Sequence, residues 1–313
     1  MAAWKILLTD GLEESGQAIL RAAVETIDRN GILAEELLQI VGEYDALIVR
    51  GRTKVNAAVL AAGKKLKVVG RSGVGVDNID LAAARELKIT VVNAPLGLTI
   101  AVAELTLGLM LSMAREIPRA DSGMKNGQWL KKELEGTEIY GKTLGVIGVG
   151  RIGSAVAQRA GACGMIVIGY DALLQPGEIR QRGLEPVSLE ELYSRSDIIT
   201  VHTPLTNETR VMLGATAFEK MKMGVRIICA ARGGVIDEAS LLAALNSGKV
   251  AFAGLDVFAA EPPGATELVA HPHVVCTPHI GAQTLEAQAR AAYDISTEVL
   301  AALRGEPLRW KVA

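Results

Sequence analysis

Along residues 1–94, short apolar runs alternate with stretches of helical spacing. The runs are Lys5–Leu8, 24–27, Ala46–Val49, 67–69 and 89–92, with helical patterns such as 35–41 and 81–87 between them. Runs of this length predict strands, and strands alternating with helices predict βα units and a parallel sheet. A second series begins near Tyr140: Thr143–Ile147, Ile166–Tyr170, Ile198–Val201, Val225–Cys229, 252–257 and the short Val274–Cys276. Between the two series, Asn93-Ala94-Pro95 breaks the pattern, because a residue before proline avoids the helical region. A long helix is then expected over Thr99–Arg115, followed over 117–134 by another helix and a polar loop holding Trp129. The long helix is apolar on most faces (Val102, Leu105, Leu107, Leu109, Met110, Leu111, Met113), so it must be buried on several sides, between domains or against a second subunit. A last helix is expected over 285–303, with Thr284 as N-cap and Gly305 as its stop. Its return to the first series predicts a discontinuous domain, 1–94 plus 285–313, and a second domain over 95–284, with hinges near 93–95 and 282–288.

One unit of the second series carries a sharper signal. The apolar run Thr143–Ile147 leads into Gly148-x-Gly150-x-x-Gly153, then a helical segment, then a second apolar run ending in Asp171. In a dinucleotide-binding turn the first glycine permits the tight turn, the second admits a pyrophosphate, and the third lets the helix pack on the sheet. Free N–H groups at the helix start then face the phosphates. Asp171 lies 18 residues past Gly153, where a carboxylate would hold a ribose 2′-hydroxyl. A carboxylate repels a 2′-phosphate and no arginine follows directly, so NAD is expected rather than NADP. No such fingerprint follows the first strand, so the nucleotide site is expected in the second series.

Composition narrows this further. The 313 residues suffice for about two domains, half of them are apolar, and 22% are charged, as in an ordinary soluble enzyme. A net charge of −2 gives no overall pull toward nucleic acid or an anionic membrane. The start does not read as a signal peptide, and the longest apolar stretch, interrupted by Glu104, is too short to span a bilayer. Cys163, Cys229 and Cys276 are odd in number and lack metal spacing, so buried free thiols in a reducing cytoplasm are expected. His271-Pro272-His273 has no Cys or carboxylate at metal spacing, and no metal is expected. His202, His271 and His273 are read as structural.

Three polar clusters follow strands of the second series, at the carboxyl ends where α/β sheets bind ligands. They are Ala230-Ala231-Arg232-Gly233-Gly234, Asp256 through Glu261-Pro262-Pro263, and Cys276-Thr277-Pro278-His279-Ile280-Gly281-Ala282. Arginine can grip a substrate carboxylate with two parallel hydrogen bonds. Histidine can take the proton from an alcohol as hydride leaves. A nearby glutamate orients the ring and favours its protonated form.

With these clusters, several further stretches carry a resemblance: Gly70-Arg71-Ser72-Gly73-Val74-Gly75-Val76-Asp77-Asn78-Ile79-Asp80, Gly141-Lys142-Thr143-Leu144-Gly145, Val201-His202-Thr203-Pro204-Leu205 and Leu255-Asp256-Val257-Phe258. Over nearly its whole length the chain resembles the D-isomer-specific 2-hydroxyacid dehydrogenases. The resemblance implies an α/β fold of two doubly wound parallel-sheet domains, a Rossmann NAD-binding domain and a flavodoxin-like discontinuous substrate domain, with a cleft between. It implies a catalytic set of Arg232, Glu261 and His279, and cofactor contacts from Gly148, Gly150, Arg151, Ile152, Gly153, Asp171, Thr203, Ala230, Arg232, Asp256, His279 and Gly281, with Asp256 on the nicotinamide. The expected reaction is NAD-dependent oxidation of a small anionic hydroxyacid, 3-phospho-D-glycerate, in a cytoplasmic homodimer that uses the long-helix region as its interface. Another D-2-hydroxyacid, or an NAD-sensing binding role on the same fold, is the alternative.

Arg50, Arg52 and Arg71, read as following strand ends of the first domain, are either solvated charges or holders of the anionic substrate, together with Ser72, Gly73 and Val74. The chain departs from the family in three places. Cys229 stands at a position often occupied by Asn, which removes an expected loop hydrogen bond. Leu96 and Leu98 follow Pro95 where a polar residue is usual and could accommodate a more apolar substrate. Val74 replaces a frequent Thr. Ending at Ala313, the chain resembles the shorter family members, and no C-terminal regulatory domain is expected.

Overall fold

A computed structural model describes residues 4–313. Residues 1–3, part of the start read as leaderless and of the first domain, lie outside the described residues. The chain divides into two compact units: unit 1 runs to Leu98 and resumes over Ala282–Ala313, and unit 2 is Thr99–Gly281.

Unit 1 holds five parallel strands, β1 (Lys5–Leu8), β2 (Glu25–Asp28), β3 (Ala46–Val49), β4 (Val68–Arg71) and β5 (Thr90–Asn93), in the order β2-β1-β3-β4-β5. That is the flavodoxin-like doubly wound order. The central β3, Ala-Leu-Ile-Val, is buried along its whole length, as a parallel strand covered on both faces must be. The C-terminal helix Leu285–Arg304 packs on β4 and on the helix Glu14–Ala23. The approach is close: a Cβ on Gly70 would stand 2.5 Å from Val299 Cγ2, and one on Gly16 would stand 2.6 Å from the Ala292 carbonyl oxygen. Thr284 caps this helix through the Ala287 N–H, and Gly305, with φ 70°, ends it. The tail beyond bridges Lys311 to Val92 and so shields the edge of β5.

Unit 2 holds seven parallel strands: β6 (Thr143–Ile147), β7 (Ile166–Tyr170), β8 (Glu185–Pro186), β9 (Ile198–Val201), β10 (Val225–Cys229), β11 (Val250–Leu255) and β12 (Val274–Cys276). Their order is β12-β11-β10-β9-β6-β7-β8, so the winding reverses between β6 and β9, the switch point where doubly wound sheets bind ligands. The long helix Thr99–Arg115 packs on the helix Arg151–Ala162 and on β10, β11 and β12, burying Val102, Leu109, Met110 and Met113. Ile100 and Leu111 remain exposed on its outer face.

The expected strands stand, with shifts that have local causes. β11 starts two residues early, at Val250 opposite Val225, and stops at Leu255, directly before Asp256. β4 extends to Arg71, which pairs with Val49 and Asn93, so that arginine belongs to the strand rather than following it. The first break falls after Leu98 rather than residue 94. The Ala94 N–H bonds Gly73, Arg290 bonds the Gly97 carbonyl, and a Cβ on Gly97 would meet the Ala291 nitrogen at 2.8 Å. The second break falls at Ala282, whose carbonyl accepts from Gln288 within unit 1. Between β7 and β9, the helices Pro176–Gln181 and Leu189–Arg195 and the two-residue β8 are additions to the sequence reading. The helix after the long one is only Ile117–Lys125, and Trp129 is exposed in the loop beyond.

His202 lies directly after β9. Its Nε2 lies 2.9 Å from Thr200 Oγ1 and its Nδ1 is sealed from solvent without a partner among the described residues. Burial pushes the ring from an ordinary 6.5 down to about 4. The unfolded chain therefore binds this proton first as pH falls, and stability is lost between about 6.5 and about 4, up to ~3 kcal/mol. Urea melts of the parent and of His202→Gln across this range should show a shallower acid loss in the variant; parallel curves would contradict the assignment.

Candidate active site

The glycine turn after β6 has the shape a dinucleotide needs. Gly148 has φ +87°, and a Cβ there would press on the His202 carbonyl at 2.8 Å and on Thr203 Cγ2 at 3.0 Å. A Cβ on Gly153 would lie 2.1 Å from the Gly148 oxygen, so only glycine lets the helix Arg151–Ala162 start this near the strand. A Cβ on Gly150, by contrast, would meet no described neighbour within 4 Å beyond the adjoining chain. The helix begins without a side-chain cap, so Gly150, exposed Arg151 and half-buried Ile152 present backbone toward an anion. Asp171, just past β7, accepts from the Val149 and Leu173 N–H groups at 2.8 and 2.9 Å, which fixes its carboxylate beside the turn. Thr203 Oγ1 is buried next to the turn with no partner among the described residues. An open cradle at Gly150, an uncapped helix start and an orphaned hydroxyl fit a bound dinucleotide.

The three polar loops meet at the carboxyl ends of β10, β11 and β12. Arg232 follows β10 and bonds the Ala231 carbonyl at 2.6 Å; Ala230 beside it is buried. A Cβ on Gly233 would lie 1.8 Å from the Phe258 oxygen, so the glycine lets the Arg232 loop lie against the loop that carries Glu261. Glu261 receives the Phe258 N–H on Oε1 at 3.1 Å, and its Oε2 lies 2.7 Å from His279 Nδ1. Burial works to raise the Glu261 pKa. The bonds from His279 and Phe258, with the charges of His279 and Arg232, outweigh it and hold the carboxyl group below the usual range. An ionised carboxylate only accepts, so Nδ1 is the donor, and the neutral ring keeps its lone pair on Nε2.

His279 sits at φ +52°, a left-handed conformation uncommon for a residue with a Cβ. Its neighbours hold it there. Asp256, 1% exposed, accepts from Thr277 Oγ1 at 2.6 Å and from the Ile280 and Gly281 N–H groups at 2.8 Å each. This carboxylate, expected to face the nicotinamide, thus serves as the anchor of the His279 loop. Gly281, expected among the cofactor contacts, donates its N–H to this carboxylate.

In unit 1, Asp10 organises the loop after β3, accepting from Arg50 N–H, Thr53 N–H and Thr53 Oγ1 at 2.8, 3.1 and 2.6 Å. The Arg52 guanidinium is engaged by the Thr9 and Ile32 carbonyls and by Asp10. Arg50 reaches Gln283 at 3.1 Å. Arg71 bonds the Ser72 carbonyl and lies over Gly73, where a Cβ would fall 1.2 Å from Nη1. Ser72 is buried, and the Val74 carbonyl accepts from Asn93 at 2.7 Å.

Other expectations need correction. Cys229 keeps a contact across its loop, Sγ to the Arg232 carbonyl at 3.7 Å, so the expected loss of an anchor is partial. Cys163 is exposed rather than buried, because it ends a helix at the surface. Of the two leucines after Pro95, Leu98 is buried and Leu96 is exposed. Sequence reading also missed Arg182, which donates to the Val149 carbonyl of the glycine turn, and Glu238, which holds the Ala259 N–H at 2.6 Å. Neither sits in a motif.

The family model for the D-isomer specific 2-hydroxyacid dehydrogenase, NAD binding domain, matches residues 107–281. D-3-phosphoglycerate dehydrogenase of Methanocaldococcus jannaschii is 48% identical over 303 residues, covering 96% of this chain and 58% of its own. That of Rattus norvegicus is 44% identical over 305 residues, covering 97% and 57%. The chain therefore spans little more than half the length of these curated relatives. A solved glyoxylate reductase from Paecilomyes thermophila has a TM-score of 0.91 at 32% identity, covering 100% of this chain and 99% of that one. The chain belongs to the D-isomer specific 2-hydroxyacid dehydrogenase family, and unit 2 is its NAD-binding domain.

Proposed function

We propose that the protein oxidises 3-phospho-D-glycerate to 3-phosphohydroxypyruvate with NAD⁺, an entry step to serine synthesis. The observation that carries this reading is the 2.7 Å pair of His279 Nδ1 and Glu261 Oε2 beside the Arg232 loop, in a family whose similar curated relatives are named D-3-phosphoglycerate dehydrogenases. NAD⁺, when bound, supplies the hydride acceptor. Gly150, Arg151 and Ile152 would hold its pyrophosphate, and Asp171 its ribose. His279 Nε2 takes the hydroxyl proton, Glu261 holds the ring in that tautomer and stabilises the imidazolium, and Arg232 grips the carboxylate. Arg50, Arg71 and the 72–74 backbone are the proposed holders of the phosphate, and unit 1 the proposed substrate domain.

A homodimer working in the cytoplasm is part of the same proposal. Its support is the apolar surface of Ile100, Leu111, Ile117, Met124 and Trp129 exposed on unit 2. No described helix is long and apolar enough to cross a membrane. A second reading, a different D-2-hydroxyacid as substrate, draws on exposed Leu96 after Pro95.

Steady-state NADH production on a panel of D-2-hydroxyacids should rank phosphoglycerate first. Preference for an unphosphorylated acid selects the second reading, and no turnover on any acid indicates a binding protein. His279→Ala is expected to lower kcat by ~10²–10⁴; a near-parental rate removes it from the proton path. Arg71→Ala should raise KM for phosphoglycerate more than for glycerate, and an unmoved KM removes Arg71 from the phosphate site.

A further inference from the structure

Val149, between Gly148 and Gly150, has both backbone polar groups held by side chains. Its N–H donates to Asp171 Oδ2 at 2.8 Å. Its carbonyl accepts from Ser154 Oγ at 3.2 Å and from Arg182 Nη1, 33 residues downstream. A trans peptide is planar, so the Val149 C=O and the Gly150 N–H point in opposite directions from one rigid unit. Whatever holds the carbonyl also aims the amide. The space beside Gly150 is open, next to the uncapped start of a 12-residue helix.

Arg182 is well placed to fix that carbonyl. It is the C-cap of the helix Pro176–Gln181, a separate element from the glycine turn. Ile179 and Leu184 on either side of it are buried in the same apolar cluster as Val149, so the stem starts from packed backbone. Ser154 supplies a neutral bond from within the turn's own helix. A guanidinium supplies a charge-assisted one, stronger and tied to the chain beyond β7.

We propose that Arg182 is a positioning residue for the cofactor: by holding the Val149 carbonyl it keeps the Gly150 N–H directed at the pyrophosphate of bound NAD. With Asp171 on the preceding peptide, it locks two consecutive peptide planes of the turn. The proposal rests on unit 2 binding NAD.

The test is NADH titration by fluorescence on the whole chain, comparing the parent with Arg182→Ala and Arg182→Met, the second keeping the aliphatic stem should the first fold poorly. Both variants should bind NADH about tenfold more weakly. KM for NAD⁺ should rise similarly while kcat at saturating NAD⁺ stays unchanged, a split that general loosening of the protein would not produce. The loss should persist at ~0.5 M salt, where long-range attraction is screened. Parental affinity in both variants overturns the proposal, as does a loss that disappears at high salt. Failure of the parent itself to bind NADH would overturn the cofactor reading instead.

Discussion

The carboxylate of Asp256 lies at the end of β11, nearly inaccessible to water, and takes three donors from the loop after β12. Those donors belong to residues 277, 280 and 281, on both sides of the imidazole that bonds Glu261. A buried carboxylate that lost them would cost several kcal/mol, so the loop has no cheap alternative arrangement. The left-handed backbone of His279 would relax in a free peptide, since such a conformation costs of order 1–3 kcal/mol. Here its flanks are fixed, and the ring stands against Glu261.

The same device recurs in both sheets. Asp10 ties the loop after β3 to the end of β1, Asp171 ties the glycine turn to the end of β7, and Asp256 ties the last loop to the end of β11. In each case a short acid near the end of one parallel strand takes at least one N–H from a loop that follows another. Parallel strands end with their loops side by side, and loops carrying few apolar residues cannot be held by packing. Short carboxylates hold them by charge-assisted hydrogen bonds instead.

The strands were legible because a buried parallel strand needs an unbroken apolar run, and a run such as Ile198–Val201 has no other reading of that length. The glycine turn was legible because three glycines, a strand and an acid must coincide. The sequence also pointed to Arg232, Glu261 and His279 through their neighbours. What it hid depends on contacts between residues far apart in the chain. Nothing near Arg52 says that it will be bound by Thr9 and Ile32 carbonyls, and nothing near Asp256 says that its partners come from a loop 21 to 25 residues on. The region 172–196 was obscure because its helices are one or two turns long and β8 pairs through only two residues.

The C-terminal helix has a consequence for the order of events during synthesis. Unit 2 is one uninterrupted segment, so its seven strands can assemble as soon as residue 281 has emerged from the ribosome. The first sheet, though translated earlier, must wait with the faces of β4 and the helix Glu14–Ala23 uncovered until Ala282–Ala313 arrives. Nascent polypeptide therefore passes through a stage in which residues 99–281 are folded while the segment before them still needs shelter, the reverse of the usual N-terminal-first sequence.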